Sequence, residues 1–142
     1  MDHDAFLSEV QRRAHLGTKE EAERAAQATL ETLGHRLAQA GDLACNVAEQ
    51  LPASLAEPLV RGAREPYKRL GLGEFFDEVG RRQGAGGTAE APEAHACEAH
   101  ACAVIAVLCD ALPEGSTVKI RHALPPEFAP LFSAATGADM QA

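Results

Sequence analysis

An all-α fold follows from three features of this 142-residue chain. Apolar side chains recur at helical spacing, no β-branched alternation runs for even five residues, and the helical pattern occurs twice. The expected architecture is two tandem four-helix repeats packed as one domain about a pseudo-twofold axis. The first helical repeat covers residues 1–62, a linker covers 63–72, the second repeat covers 73–132, and 133–142 form a frayed C-terminal tail.

The opening element is a short helix with Phe6, Leu7, Val10 and Ala14 on one face. A long helix follows. Thr18 and Glu21 have capping-box spacing, and Ala22, Ala26, Leu30, Leu33 and Leu37 then step by four, four, three and four residues. At roughly 100° per residue that step holds one stripe. A third, short helix ends at Leu51-Pro52, because the residue before proline is pushed out of the α region. Leu55, Ala56 and Leu59 belong to a fourth helix of one to two turns, limited by Pro58.

The second repeat copies this order. Ala5-Phe6-Leu7-Ser8-Glu9-Val10-Gln11-Arg12-Arg13 returns as Glu74-Phe75-Phe76-Asp77-Glu78-Val79-Gly80-Arg81-Arg82. Residues 83–91 are glycine-rich and read as the loop to the sixth helix, with Thr88 near its start and Pro92 in its first turn. Cys97, Ala101, Ile105, Leu108 and Leu112 repeat the long stripe with the same steps. Ile120 to Leu124-Pro125 match the short helix, and Phe128, Ala129 and Phe132 the last one, limited by Pro130. Each repeat has few large apolar side chains and could bury only part of its surface alone. Either half expressed by itself is therefore expected to be unfolded or to self-associate.

Composition narrows the function. Net charge is -8, hydrophobic residues make up 46%, aromatic residues 4%, and Trp is absent. The core must be aliphatic. Residues 72–142 hold 10 acids against 4 bases, so the second half carries most of the negative field. Nucleic acid, which needs a basic face, and an anionic membrane are both disfavoured. No run of 18 apolar residues predicts a span, and the acidic start lacks a signal-peptide pattern. The expected location is the cytoplasm, with the four cysteines as reduced thiols.

The one concentration of reactive side chains is His95-Ala96-Cys97-Glu98-Ala99-His100-Ala101-Cys102, with Cys109 beyond. Thiolate and imidazole together suit zinc or copper(I). On a helix, however, Cys97 falls on the core stripe, His95, Glu98, Cys102 and Cys109 along one flank, and His100 on the other. His95, Glu98, Cys102 and Cys109 are the candidate metal ligands, and a full site would need a further ligand from another helix or subunit. No C-x-x-C spacing supports them. The favoured reading has no metal site: small buried thiols and surface imidazoles. His95 and Cys102 are two turns apart, about 10 Å of rise, too far for a catalytic dyad.

Other signals are weaker. Gly84-Ala85-Gly86-Gly87 lacks the Lys-Ser/Thr of a phosphate-binding loop and follows no strand. Arg61, Arg64, Lys68 and Arg69, with Tyr67 among them, make the linker basic, but Glu57 and Glu65 dilute it into a salt-bridged connection. Arg12-Arg13 and Arg81-Arg82 either balance the ends of their own helices or pair with acids of the other repeat.

These patterns resemble a bacterial domain-of-unknown-function family, number 2267. The resemblance rests on the acidic start into Phe6-Leu7-Ser8-Glu9-Val10, on Glu20-Glu21-Ala22-Glu23-Arg24-Ala25 with Thr29-Leu30-Glu31-Thr32-Leu33-Gly34-His35-Arg36-Leu37, and on Gln50-Leu51-Pro52 with its counterpart Ala123-Leu124-Pro125. It covers about residues 2–132. It implies a duplicated all-helical fold and no activity, so no catalytic residues transfer. His95, Cys97, His100 and Cys102 depart from the family's usual second copy. No catalytic residue, nucleotide motif or cofactor is implied. The expected function is a non-enzymatic cytoplasmic interaction or scaffold module whose partner is another protein or a second copy. The alternative is a metal- or redox-responsive protein using the His/Cys cluster of the sixth helix.

Overall fold

A computed structural model describes residues 2–38, 41–65, 70–85, 94–129 and 131–132, with side chains for all of these except 84–85 and 94–97. The described residues form seven α-helices: α1 (His3–Arg13), α2 (Lys19–Leu37), α3 (Leu43–Ala48), α4 (Ala53–Ala63), α5 (Leu72–Ala85), α6 (Ala94–Ala111) and α7 (Glu114–Ala123). A 3-10 turn, Pro126–Phe128, follows α7. There is no strand among them.

Local chemistry sets the helix ends. Asp2 caps α1 by accepting the Ala5 N–H at 2.7 Å, and Thr18 caps α2 by accepting the Glu21 N–H at 3.2 Å. α1 closes in a Schellman turn: the Leu16 N–H reaches the Gln11 carbonyl at 2.9 Å and the His15 N–H the Arg12 carbonyl at 3.4 Å. That turn holds His15 at φ 56°, a left-handed position that glycine ordinarily fills. α7 ends at Leu124, whose ψ of 148° precedes Pro125. Glu127, on the 3-10 turn, accepts the Leu72 N–H at 2.8 Å, while Glu74 accepts the Gly71 N–H at 3.0 Å. Two carboxylates thus occupy the start of α5, where the helix dipole favours them.

The long helices α2 and α6 pack against each other, and both α1 and α5 touch each of them. α3 and α4 pack on α2, and α7 touches α3. One continuous core results, with Phe6 and Val10 from α1, Leu30, Leu33 and Leu37 from α2, Phe75 and Val79 from α5, and Ile105 and Leu108 from α6. Ala22, Ala26 and Ala101 are fully buried; such small side chains let helix backbones approach closely. The Arg36 guanidinium lies 5.5 Å from the centre of the Phe128 ring and donates to the Leu70 carbonyl at 3.0 Å. Phe128 in turn meets Phe75 edge-on at 5.7 Å, so α2, α5 and the 3-10 turn join in one stack.

Three boundaries differ from the sequence reading. The third helix, expected to run to Leu51-Pro52, ends at Ala48, and residues 49–51 form a turn. Pro58 does not limit the fourth helix: α4 runs through it for 11 residues. The lost backbone bond costs about 3 kcal/mol. Burial of Leu55, Pro58, Leu59 and Gly62 against the rest of the core offsets it. At that crossing α2 and α4 meet backbone to backbone, because a Cβ on Gly34 would overlap the Leu59 carbonyl oxygen and one on Gly62 the Glu31 carbonyl oxygen. Residues 83–85, expected as loop, belong to α5, and Gln83 is buried. Thr88 and Pro92, the rest of the glycine-rich segment, Pro130 and the tail from Ser133 lie outside the described residues.

Candidate functional site

The His/Cys segment lies on α6. The side chains of His95 and Cys97 are outside the described ones. Glu98 is exposed, and Cys102 and Cys109 are half-buried against the core. Burial, then the nearby Glu98 carboxylate, pushes the Cys102 thiol up to about 11. Burial raises the Cys109 thiol as well, against the opposing pull of Thr117 and Arg121. Both are protonated at neutral pH, so an attacking electrophile would meet a thiol and a bound ion would first have to displace its proton. His100, on the other flank, pairs with Gln83 of α5 at 3.2 Å. Burial lowers its pKa, with Glu21 opposing. Among the described residues no group of three or more His, Cys, Asp or Glu side chains is placed to hold a metal ion.

The densest assembly of charge lies elsewhere, at Arg82, and it draws on three parts of the chain. This guanidinium, 12% exposed, touches three carboxylates. Glu78 of its own helix accepts at 2.8 Å. Glu65, just past α4, receives two bonds at 2.6 and 3.0 Å, and Glu31 of α2 a third contact. Arg61 donates to Glu31 at 2.9 Å from α4, and His35 Nδ1 lies 3.5 Å from Glu65. Burial opposes the charge on Arg82, yet the Glu65, Glu31 and Glu78 carboxylates raise its pKa further above its ordinary value. The Arg82 bond in turn holds the Glu65 carboxyl below the usual carboxylate range, and the Arg81 bond does the same for Glu78.

A simpler version occurs at the end of α1. Arg12 and Arg13 both bond Glu9, at 2.7 and 3.2 Å, and Arg13 reaches Asp110 of α6 at 2.6 Å. In each pair the first arginine stays with the glutamate of its own helix. The second crosses to a long helix, Arg13 from α1 to α6 and Arg82 from α5 to α2. Of the two sequence readings of these arginines, the cross-pairing therefore describes Arg13 and Arg82. Its acidic partners could not be named from spacing. They lie 97 residues away for Arg13 and 51 for Arg82. Of the basic linker, Arg61 sits in α4, paired with Glu31 and Glu57. Arg64 is exposed, and Tyr67, Lys68 and Arg69 are outside the described residues.

A concavity of about 430 Å³ opens where α7 meets the 3-10 turn. Leu124, Phe128 and Phe132 form its floor, Pro125 and Pro126 one wall, and Arg121 and His122 its lip. A second, shallower hollow of about 420 Å³ meets it at His122 and is lined by Asp42, Leu43, Asn46 and Lys119. Sequence reading missed this feature, although Lys119-Ile120-Arg121-His122 is the one run of cations in the acidic second half after Arg81-Arg82.

Fold and site together define an all-helical protein whose half-buried charges cross-link its helices. The chain belongs to the domain-of-unknown-function family DUF2267, described as an uncharacterized conserved protein, whose model matches residues 3–131. No curated protein matches it. No helix, among the described residues, is long and apolar enough to cross a membrane.

Proposed function

We propose that this protein is a non-enzymatic, cytoplasmic interaction or scaffold module built from two tandem four-helix repeats about a pseudo-twofold axis. One observation carries the reading. Among the described residues, the charged side chains that gather most closely are engaged in holding helices together: Arg82 takes three carboxylates and Arg13 takes Glu9 and Asp110. A general base or acid needs a free position and a pKa near the working pH. The shifts at Glu65, Glu78 and Arg82 move those groups away from it. The crossed pairs also support the twofold reading, since each repeat sends the same arginine to the other's long helix.

The test is affinity capture from native lysate by the full chain, followed by mass spectrometry. A partner recovered in stoichiometric amount that persists through gel filtration supports the module. A chain that recovers none, yet turns over a substrate in an activity screen, contradicts it.

A further inference from the structure

The geometry points to a docking groove at the α7 end of the molecule for an acidic, amphipathic segment of a partner protein; this rests on the interaction-module reading above. The floor is apolar, made by Leu124, Phe128 and Phe132, and Pro126 and Ala129 are exposed beside it. Its size suits one or two large apolar side chains. The lip carries Arg121 and His122, both exposed, and Lys119, also exposed, lines the adjoining hollow that meets the groove at His122. Lys119 and Arg121 are the second half's only bases besides Arg81 and Arg82, and those two are bound to Glu78.

Neither Lys119 nor Arg121 sits in an ion pair among the described residues, although the chain carries a net charge of -8. The Arg121 guanidinium lies over the Phe132 ring at 5.8 Å, which fixes it at the groove edge. Its planar fork is then oriented for a carboxylate. Two exposed cations and a histidine are too few to track a phosphate backbone, and Asp42 lines the adjoining hollow. An apolar anchor flanked by Asp or Glu satisfies both the floor and the lip, and the acidic remainder of the surface repels basic segments.

The experiment uses the isotopically labelled full chain and two synthetic amphipathic peptides of equal length. Both carry leucines at i, i+3, i+4 and i+7. One has glutamates and the other lysines on the flanks. The acidic peptide is expected to shift the amides of residues 119–132 and to weaken about tenfold with K119E/R121E, both positions being exposed. The basic peptide is expected to leave the wild type unchanged and to bind that variant. Equal response to both peptides, shifts centred on α1 or α5, or none up to about 1 mM overturns the proposal. So does concentration-dependent self-association that K119E/R121E abolishes, which would make the occupant a second copy. A lysate partner captured equally well by K119E/R121E sinks the groove while leaving the module reading intact.

Discussion

Gly34 and Gly62 face each other across the α2–α4 crossing, each with its α-carbon against the other helix's backbone. Replacing either by alanine gains about 1 kcal/mol of helix propensity. It also drives a methyl into a carbonyl that cannot swing away. Overpacking costs about 1–3 kcal/mol where side chains can yield. Here the obstacle is main chain, so Gly34→Ala and Gly62→Ala are each expected to lose about 3 kcal/mol in urea denaturation. A loss under about 1 kcal/mol would show that the helices slide apart freely.

The two crossed arginines should differ in weight. Arg82 is 12% exposed and serves three carboxylates; Arg13 is 28% exposed and its partner Asp110 is 55% exposed. Removing a buried partner strands the other charges, at about 3 kcal/mol or more, whereas an exposed pair contributes about 0.2–1 kcal/mol. Arg82→Met should therefore destabilise several-fold more than Arg13→Met. A double-mutant cycle of Arg82→Met with Glu31→Gln should show coupling; additive losses would mean the pair is incidental.

His15 sits in the left-handed region at φ 56°. An L-residue pays about 1–2 kcal/mol there. Its side chain is exposed, so His15→Gly removes that cost with little packing lost. The expected gain is about 1 kcal/mol, read as a melting temperature several degrees higher. An unchanged or lower value would count against the Schellman assignment.

Acid should unfold the protein through Glu65 and Glu78. Both carboxyls are held below their ordinary value, Glu65 by Arg82 and Glu78 by Arg81 and Arg82. Depressed groups stabilise fully above the unfolded carboxylate range, about pH 4.3. That contribution is lost as pH falls below it through the folded values. Thermal melts from about pH 6 downward should show the decline, and Glu78→Gln should flatten it. Equal pH slopes in variant and wild type would contradict the assignment.

The thiols should react in a set order. Cys45 is exposed on α3, while burial pushes Cys102 up to about 11 and also raises Cys109. Pulse alkylation at neutral pH, mapped by mass spectrometry, should label Cys45 well before Cys102 or Cys109. Fast labelling of Cys102 that zinc prevents would instead favour a metal- or redox-responsive role for the α6 cluster.

What could be read from the sequence was what repeats locally. The stripe Ala22, Ala26, Leu30, Leu33 and Leu37 is wholly buried because a period near 3.6 forces one face inward. The Thr18 cap depends on residues three apart and was equally visible. Contacts between distant residues were not. Gly34 and Gly62 were not singled out by the sequence reading, although two glycines inside helical patterns are themselves a signal of close packing. Pro58 was read as a stop because proline breaks isolated helices, and only tertiary burial explains why α4 continues. On α6 the helical wheel sets His100 apart from Glu98 and Cys102, but it could not show that Gln83 of α5 meets His100.

Hydrogen exchange under native conditions tests the single shared core most directly. The slowest amides of α2, around Leu30 and Leu33, and those of α6, around Ile105 and Leu108, should report one common opening free energy equal to global unfolding, and Arg82→Met should lower both together. Two distinct plateaus, with Arg82→Met lowering only one, would mean that the halves unfold as separate bodies.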